Sequence, residues 1–338
     1  MTTTIARVDE LCAAVAAAET VSPVGAGTHW EVGNPPTLGV EVHAPSGVLA
    51  YDPAELTVTV GAGTTVGALT DVLAQAGQEC VLDPRSATAT VGGTIATGLS
   101  GPRRLRYGPL RDRVLEVRFV TADGRVVKAG GATVKNVTGF DLPRLLVGSL
   151  GTIGVITQTT LRCQPLAAIA RWSASVDEPA SVRARLFRPS CVAWDGAVTR
   201  VLLEGHPDDV VAEERSAGLE PLVDRVRAVE GEHRGRISVR PDRVVETGRA
   251  LLALDDLGWM AEVGVGTIHV AAGTIEAFTA ARAAAERAGG WLLREAGAPG
   301  VDGFGVALPN LGIVRRVRDA FDPTGKLSPG RLPLEAAA

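Results

Sequence analysis

Glycines and small hydroxylic side chains crowd one stretch of the chain, Asp83 to Gly154. Ser86, Thr88, Thr90, Thr94, Thr97 and Ser100 are interleaved there with Gly92, Gly93, Gly98 and Gly101. Glycine admits positive φ and lets a ligand approach the main chain closely. Amides left free in such turns form concavities that bind anions, and hydroxyls add donors without adding charge. Together these residues suit a large, flat, phosphate-bearing ligand lying along the polypeptide. They suit ordinary turns between strands as well. Neither G-x-G-x-x-G after a strand nor G-x-x-x-x-G-K-[ST] occurs in the stretch, so spacing alone stops at an anionic ligand.

The elements that must position these residues are legible from periodicity. Val8 to Ala18 reads as an amphipathic helix capped near Thr4 or Asp9. SPVGAGTHW (22–30) reads as a strand entering a turn, where Gly25 and Gly27 would wrap a pyrophosphate with amides from Ala26 to His29. Strands are expected at 47–51 and 56–61, with Asp52-Pro53 turning between them. Thr65 should cap a helix with Val66, Leu69, Val72 and Leu73 as its buried stripe. Asp83-Pro84 sets a rigid bend. Val114 to Val120 is a strand, and Ala122-Asp123-Gly124 starts a hairpin. Leu142 to Val147 is a short helix, and GSLGTIGVIT (148–157) runs from turn into strand. Beyond Pro165, strands at 169–176, 191–196 and 198–204 alternate with helices at 178–186, 207–217 and 274–288. That pattern suits an α+β unit.

Composition narrows the function classes. A chain of 338 residues suits two domains, and 46% hydrophobic content suffices for packed cores. A net charge of −4 provides no basic field for nucleic acid. Cys12, Cys80, Cys163 and Cys191 form no C-x-x-C pair, which argues against a zinc or iron–sulfur site in this chain and suits a reducing cytoplasm. His206, His233 and His269 are isolated, so no metal site is expected. No signal peptide and no membrane span are expected, and a membrane link would come through a partner.

Seven pieces in order carry a resemblance: VGAGTHW (24–30), DP (83–84), ATVGGTIATGLSG (89–101), RYGPLRD (106–112), KNVTGFDLPRL (135–145), GSLGTIGVIT (148–157) and FDPTGKLSPGR (321–331). They resemble the FAD-binding domain of the vanillyl-alcohol-oxidase and para-cresol-methylhydroxylase superfamily (PCMH-type), and within it the FAD-binding subunits of bacterial glycolate oxidases. The resemblance implies an α+β fold. A two-subdomain FAD-binding domain would span 1–165, a smaller α+β cap domain 166–310, and a return segment 311–338 packing on the FAD domain.

The resemblance also implies where FAD would touch the chain. The cofactor-binding residues are Gly25, Ala26, Gly27, Thr28, His29, Pro84, Thr90, Gly92, Gly93, Thr97, Ser100, Gly101, Tyr107, Gly151, Gly154 and Ile156. Some relatives attach FAD through a histidine in the first loop. GAGTH places His29 one position late for that, so non-covalent FAD is expected. Lys135 either lies beside the cofactor or on a solvated loop. Arg111 and Asp112 are expected as a structural ion pair, and the arginines at 103, 104 and 106 as a solvated loop or an anion site. Leu150 stands where many relatives have glutamate, and Ser328 where they often have asparagine. Trp259, Trp291, Arg294 and His269 lie where a cap domain would face the flavin, with His269 more a core-strand residue than a base. No catalytic base or carboxylate-binding arginine is identified.

The implied activity is oxidation of a small 2-hydroxy acid, such as glycolate or lactate, by hydride transfer to flavin N5. The implied partners are a second flavoprotein subunit and an iron–sulfur subunit. The competing expectation is a non-catalytic flavoprotein subunit that scaffolds such an assembly or relays electrons within it. A chain that keeps the fold without flavin is a third.

Overall fold

The computed structural model of the chain describes residues 7–131, 141–223, 226, 228–305 and 310–334. Lys135 and Asn136 lie outside the described residues. Two antiparallel sheets organise the molecule. The first has five strands in the order Val48–Asp52, Thr57–Gly61, Val155–Arg162, Val114–Val120, Val126–Gly130. The second has eight, in the order Glu220–Pro221, Ile169–Ser175, Thr199–Gly205, Cys191–Trp194, Leu257–Glu262, Thr267–Ala272, His233–Ser238, Trp291–Ala296. Among the described residues no helix is long and apolar enough to cross a membrane.

The central strand of the first sheet, Val155–Arg162, is buried along nearly its whole length. Its threonines therefore need internal partners. Thr157 donates to the Arg118 carbonyl and Thr159 to the Glu116 carbonyl, both at 3.0 Å. Helix Val66–Ala74 packs Val66, Leu69 and Leu73 against this sheet, while Val72 is only half-buried. Thr65 caps that helix by accepting from the Ala68 amide at 3.2 Å. The first helix, Val8–Ala17, has no side-chain cap; Asp9 sits in its first turn, where it favours the positive end of the helix dipole.

The glycine-rich run departs from the open segment its composition suggests. Val91–Thr97 is a helix, started by Thr90, whose side chain accepts from the Gly93 amide at 3.1 Å, and stopped by Gly98 at φ 66°. Its glycines serve close packing. A Cβ on Gly92 would lie 2.8 Å from the Ala62 Cβ. Helix propensity is poor in VGGTIAT, so tertiary contact decides the conformation.

A short parallel pair, Val21–Pro23 with Val40–Val42, carries the 24–30 loop. The stretch 326–329 locks onto it: Val21 donates to the Lys326 carbonyl at 2.8 Å and Ser328 donates back to Val21 at 2.9 Å. The Lys326 ammonium donates to the carbonyls of Val15, Ala16 and Ala18 and so satisfies the end of the first helix. Ser328 has φ 45°, the left-handed region that asparagine tolerates better than most residues.

The second sheet buries one face under helices. Val192, Trp194, Val201, Leu203, Ile237, Trp259, Ala261, Ile268, Val270 and Ala272 point to that side and pack with Val182, Val210, Val244, Leu251, Phe278 and Ala281. The alternate positions, among them Arg234, Arg236, Met260, Glu262 and His269, consequently share the opposite face. That face meets the segment around residues 100–103. Arg236 donates to the Ser100 carbonyl at 3.0 Å, and Arg103 bridges Glu204 at 3.1 Å.

Candidate functional site

The 24–29 loop is built to offer amides. Val24 still donates to Val42 at 2.9 Å, and Trp30 donates back to Gly27 at 3.1 Å. Between them, the amides of Gly25, Ala26, Gly27, Thr28 and His29 have no acceptor among the described residues. Gly27 has φ 73°, which turns the chain. Gly25 admits no side chain, because its Cβ would lie 2.2 Å from the Thr90 Oγ1.

These amides border a cavity of about 570 Å³, which runs between this loop, the Val91–Thr97 helix and the 150–156 turn. Gly25, Ala26, Gly27, Thr28, His29, Thr90, Gly92, Gly93, Thr97, Gly151, Gly154 and Ile156 all line it. The threonine hydroxyls are largely committed to the helix itself. Thr97 donates to the Gly93 carbonyl at 3.0 Å, whereas Thr90 accepts from Gly93 and keeps its own proton to donate.

Arg331, absent from the sequence expectations, also lines this cavity. Its side chain is buried, donates to the carbonyls of Trp30 and His29, and stacks over the Trp30 ring at 5.3 Å. Among the described residues no carboxylate bridges it. Burial, then the nearby Arg294, pushes its pKa down to about 10, which leaves it a cation at neutral pH. A buried cation beside five free amides calls for an anion. The signal lay in FDPTGKLSPGR, which ends on this residue.

A second, smaller cavity of about 180 Å³ adjoins the first; Thr28 and His29 line both. Pro84 and Gly101 line only the smaller one. Its floor is the uncovered face of the second sheet, with Arg234, Arg236, Met260, Glu262 and His269. His269 Nε2 lies 2.9 Å from Glu262 Oε1, and Arg236 pairs with Glu295 at 3.1 Å. His29 Nδ1 lies 3.1 Å from the Thr28 hydroxyl. Burial lowers the His29 pKa, with Glu295 opposing and Arg236 assisting, so the ring is neutral at pH 7.

Several expected residues fall elsewhere. Ser100 is buried and accepts from the Leu110 amide at 3.0 Å, and it lines neither cavity. Tyr107 also lines neither; its ring stacks with Arg103 and Arg106. Arg111 and Asp112 do not pair, since Asp112 bridges Arg144 at 3.5 Å. Arg103 belongs neither to a solvated loop nor to an anion site: it holds Asp83 and Glu79, each at 2.7 Å. Trp259 packs on Trp194 at 5.3 Å on the helix-covered face, and Arg294 is buried on the Gly33 carbonyl at 2.7 Å. Sequence reasoning missed Glu262, Arg234 and Arg236. The alternation in HRGRIS marked the two arginines as sharing a face, but nothing local marked which face was uncovered.

Comparison with known proteins shows what the chain is similar to. Residues 2–130 match the family model described as FAD binding domain. The glycolate oxidase subunit GlcE of Escherichia coli (strain K12) is 42% identical over 131 residues, which are 38% of this chain and 37% of that protein. The D-lactate dehydrogenase of Archaeoglobus fulgidus is 48% identical over 105 residues, 31% of this chain and 24% of that protein. The glycolate oxidase subunit GlcD of Bacillus subtilis (strain 168) is 35% identical over 150 residues, 43% of this chain and 32% of that protein. The chain thus matches well under two thirds of each relative's length. An alkyldihydroxyacetonephosphate synthase structure covers 96% of this chain, and 74% of its own chain is covered, with TM-score 0.69 and 15% identity; this likeness shows the fold.

The cavity fits the cofactor that the domain match names. FAD carries a diphosphate, and the larger cavity offers unpaired amides, the Thr90 hydroxyl and the uncompensated Arg331. Its volume falls within the ~300–1,000 Å³ of ordinary cofactor and ligand sites.

Proposed function

We propose that the chain is an FAD-dependent oxidoreductase, or the FAD-carrying subunit of one, acting on a small 2-hydroxy acid such as glycolate or lactate. The observation that carries the reading is that Gly25–His29, whose five amides have no acceptor among the described residues, line one cavity with the buried Arg331. These groups would hold the diphosphate. Gly92, Gly93, Thr97, Gly151, Gly154 and Ile156 would shape the rest of the FAD site. Bound there, FAD would supply a two-electron acceptor for the substrate's hydride. We take the FAD to be non-covalent, with His29 a neutral hydrogen-bonding group where the two cavities meet. Residues 1–165 would form the FAD domain, 166–310 the cap, and 311–338 the return segment.

The substrate class rests on the names of the relatives and on the adjoining small cavity with its arginines. The two relatives named as glycolate oxidase subunits support a place in a multi-subunit assembly. A second flavoprotein subunit and an iron–sulfur subunit are the partners we propose, in the cytoplasm.

The test is the purified chain's colour and its response to Arg331→Met. The wild type should be yellow and should release its flavin on acid precipitation. The variant should bind FAD about ten- to a hundredfold more weakly, the share of one charge-assisted contact. A wild-type chain that stays colourless in excess FAD would sink the reading. Flavin that remains with the precipitated protein would overturn the non-covalent assignment alone. Anaerobic bleaching by glycolate or D-lactate supports the catalytic role. Bleaching only with added partner chains would instead favour an electron-relaying subunit.

A further inference from the structure

We infer that the molecule carries a second anion site, away from the proposed flavin cavity, where Arg106, Arg113, Arg162 and Arg188 receive a small, multiply charged anion of the phosphate class, such as pyrophosphate. The site stands independently of the flavin reading.

Strand pairing brings two of these cations together. Val155–Arg162 and Val114–Val120 run antiparallel, with Val114 opposite Leu161. Arg113 and Arg162 therefore lie at the same end of the first sheet. Leu161 is fully buried, so the alternation turns Arg162 outward, where it is exposed. Arg106 comes from the single helical turn Arg104–Tyr107. Arg188 comes from the loop between helix Pro179–Ala184 and strand Cys191–Trp194. All four line one cavity of about 450 Å³, to which Leu56, Cys163 and Pro165 give apolar walls. It shares no lining residue with either cavity described above.

Among the described residues no carboxylate lines this cavity. The chain holds 38 acidic against 34 basic residues, so composition does not account for the segregation. Elsewhere arginines are matched: Arg103 to Asp83 at 2.7 Å, Arg171 to Glu214 at 2.8 Å and Arg236 to Glu295 at 3.1 Å. None of the four arginines here has an ion-pair partner among the described residues. The acids next to the site are engaged elsewhere. Glu79 and Glu204 face Arg103 at 2.7 and 3.1 Å, and Glu213 accepts from the Phe187 amide at 2.7 Å. Arg106 donates to the Glu204 carbonyl, and Arg113 to the Tyr107 carbonyl at 2.7 Å. Those contacts hold the two guanidinium groups in place without neutralising them. Arg162 and Arg188 make no side-chain hydrogen bond among the described residues, so both are available to a ligand.

Cations gathered against apolar walls create a positive potential that a bound anion relieves. One carboxylate would balance a single cation of the four. A diphosphate carries more charge and offers oxygens to several guanidinium forks at once. The volume falls within the ~300–1,000 Å³ of ordinary ligand sites. The Tyr107 ring is engaged by Arg103 and Arg106 at 5.6 and 5.3 Å, so recognition rests on charge rather than on stacking of a base. Arg113 and Arg162 belong to the end of the first sheet, and Arg188 leads into the second. The anion would therefore tie the two sheets together and stabilise the folded chain.

The test is calorimetric titration of the purified chain with pyrophosphate at low ionic strength. One pyrophosphate should bind per chain, with an affinity that falls as salt is added. The double variant Arg162→Ala/Arg188→Ala should weaken binding about a hundredfold or more. Arg331→Met should leave it within about threefold, which separates this site from the larger cavity whether or not flavin is bound there. Pyrophosphate should raise the urea midpoint of the wild type and leave that of the double variant unmoved. Equal midpoints of the two without ligand certify that the double variant folds. Absence of binding at millimolar pyrophosphate, or wild-type affinity in the double variant, overturns the assignment. Loss of binding in Arg331→Met instead would move the anion to the larger cavity. A poly-glutamate peptide that binds more tightly than pyrophosphate through the same two arginines would make this face a protein contact and overturn the small-anion reading.

Discussion

Gly25 and Thr90 form the tightest junction of the larger cavity, and it lends itself to a double-mutant cycle. Gly25→Ala puts a methyl group 2.2 Å from the Thr90 Oγ1. That hydroxyl caps a helix and lines the same cavity, so it cannot swing away freely. We expect the single variant to lose most of its FAD content. Adding Thr90→Ala removes the clashing oxygen and should restore FAD in part, giving a coupling of about 0.5–3 kcal/mol in chemical denaturation. Strict additivity would show that the two residues do not compete for one space. At this scale the sequence was most informative about main-chain positions. The turn at the first loop's glycines was marked by local spacing and by the resemblance, and Gly27 does sit at φ 73° there. Arg331 and Glu262 were not recognisable in the same way, because a buried unpaired cation and a buried carboxylate are defined by neighbours far away in the chain.

At the level of elements, the Val91–Thr97 helix is held from outside. It contains two glycines and four β-branched residues, a poor helical composition. Its cap is correspondingly important. Thr90→Ala should destabilise the chain by about 1 kcal/mol in urea denaturation. A loss indistinguishable from zero would mean that packing on Ala62 alone sustains the helix. The element also explains where the sequence reading fell short. Long alternating strands such as Val114–Val120 and capped helices such as Pro207–Ala217 were legible because local pattern and fold agree there. VGGTIAT was read as a glycine-rich turn or ligand-contacting segment, not as a helix, because its local preference opposes its packed conformation. The second sheet was visible as α+β alternation, yet the face that lines the small pocket was not. Its residues come from strands spaced across the range 169–296, and pairing order is not written in local periodicity.

Across the whole molecule, Asn34, just beyond the first loop, is tied to the segment that follows the second sheet's last strand through Asp302. Its carboxylate accepts from Asn34 at 3.1 Å, Phe304 at 2.9 Å and Gly305 at 2.6 Å. Desolvation opposes ionisation, but these donors outweigh it, and the pKa lies below the ordinary carboxylate value. A group depressed in the folded state stabilises it fully above the unfolded pKa, about 3.9 for aspartate, and that stability is lost as pH falls further. Asp302→Asn should therefore flatten the decline in stability below about pH 4, measured by denaturation at a series of pH values. An unchanged slope would remove Asp302 from the acid response.

Arg331 stands some thirty-five positions after the final strand of either sheet, which ends at Ala296. A growing polypeptide emerges at about 5–20 residues per second, so both sheets are available to pair before this cation leaves the ribosome. The nascent molecule can therefore have its scaffold in place while its grip on a dinucleotide is still missing one positive charge. On the proposed reading, loading with flavin is in this sense a late step of biogenesis.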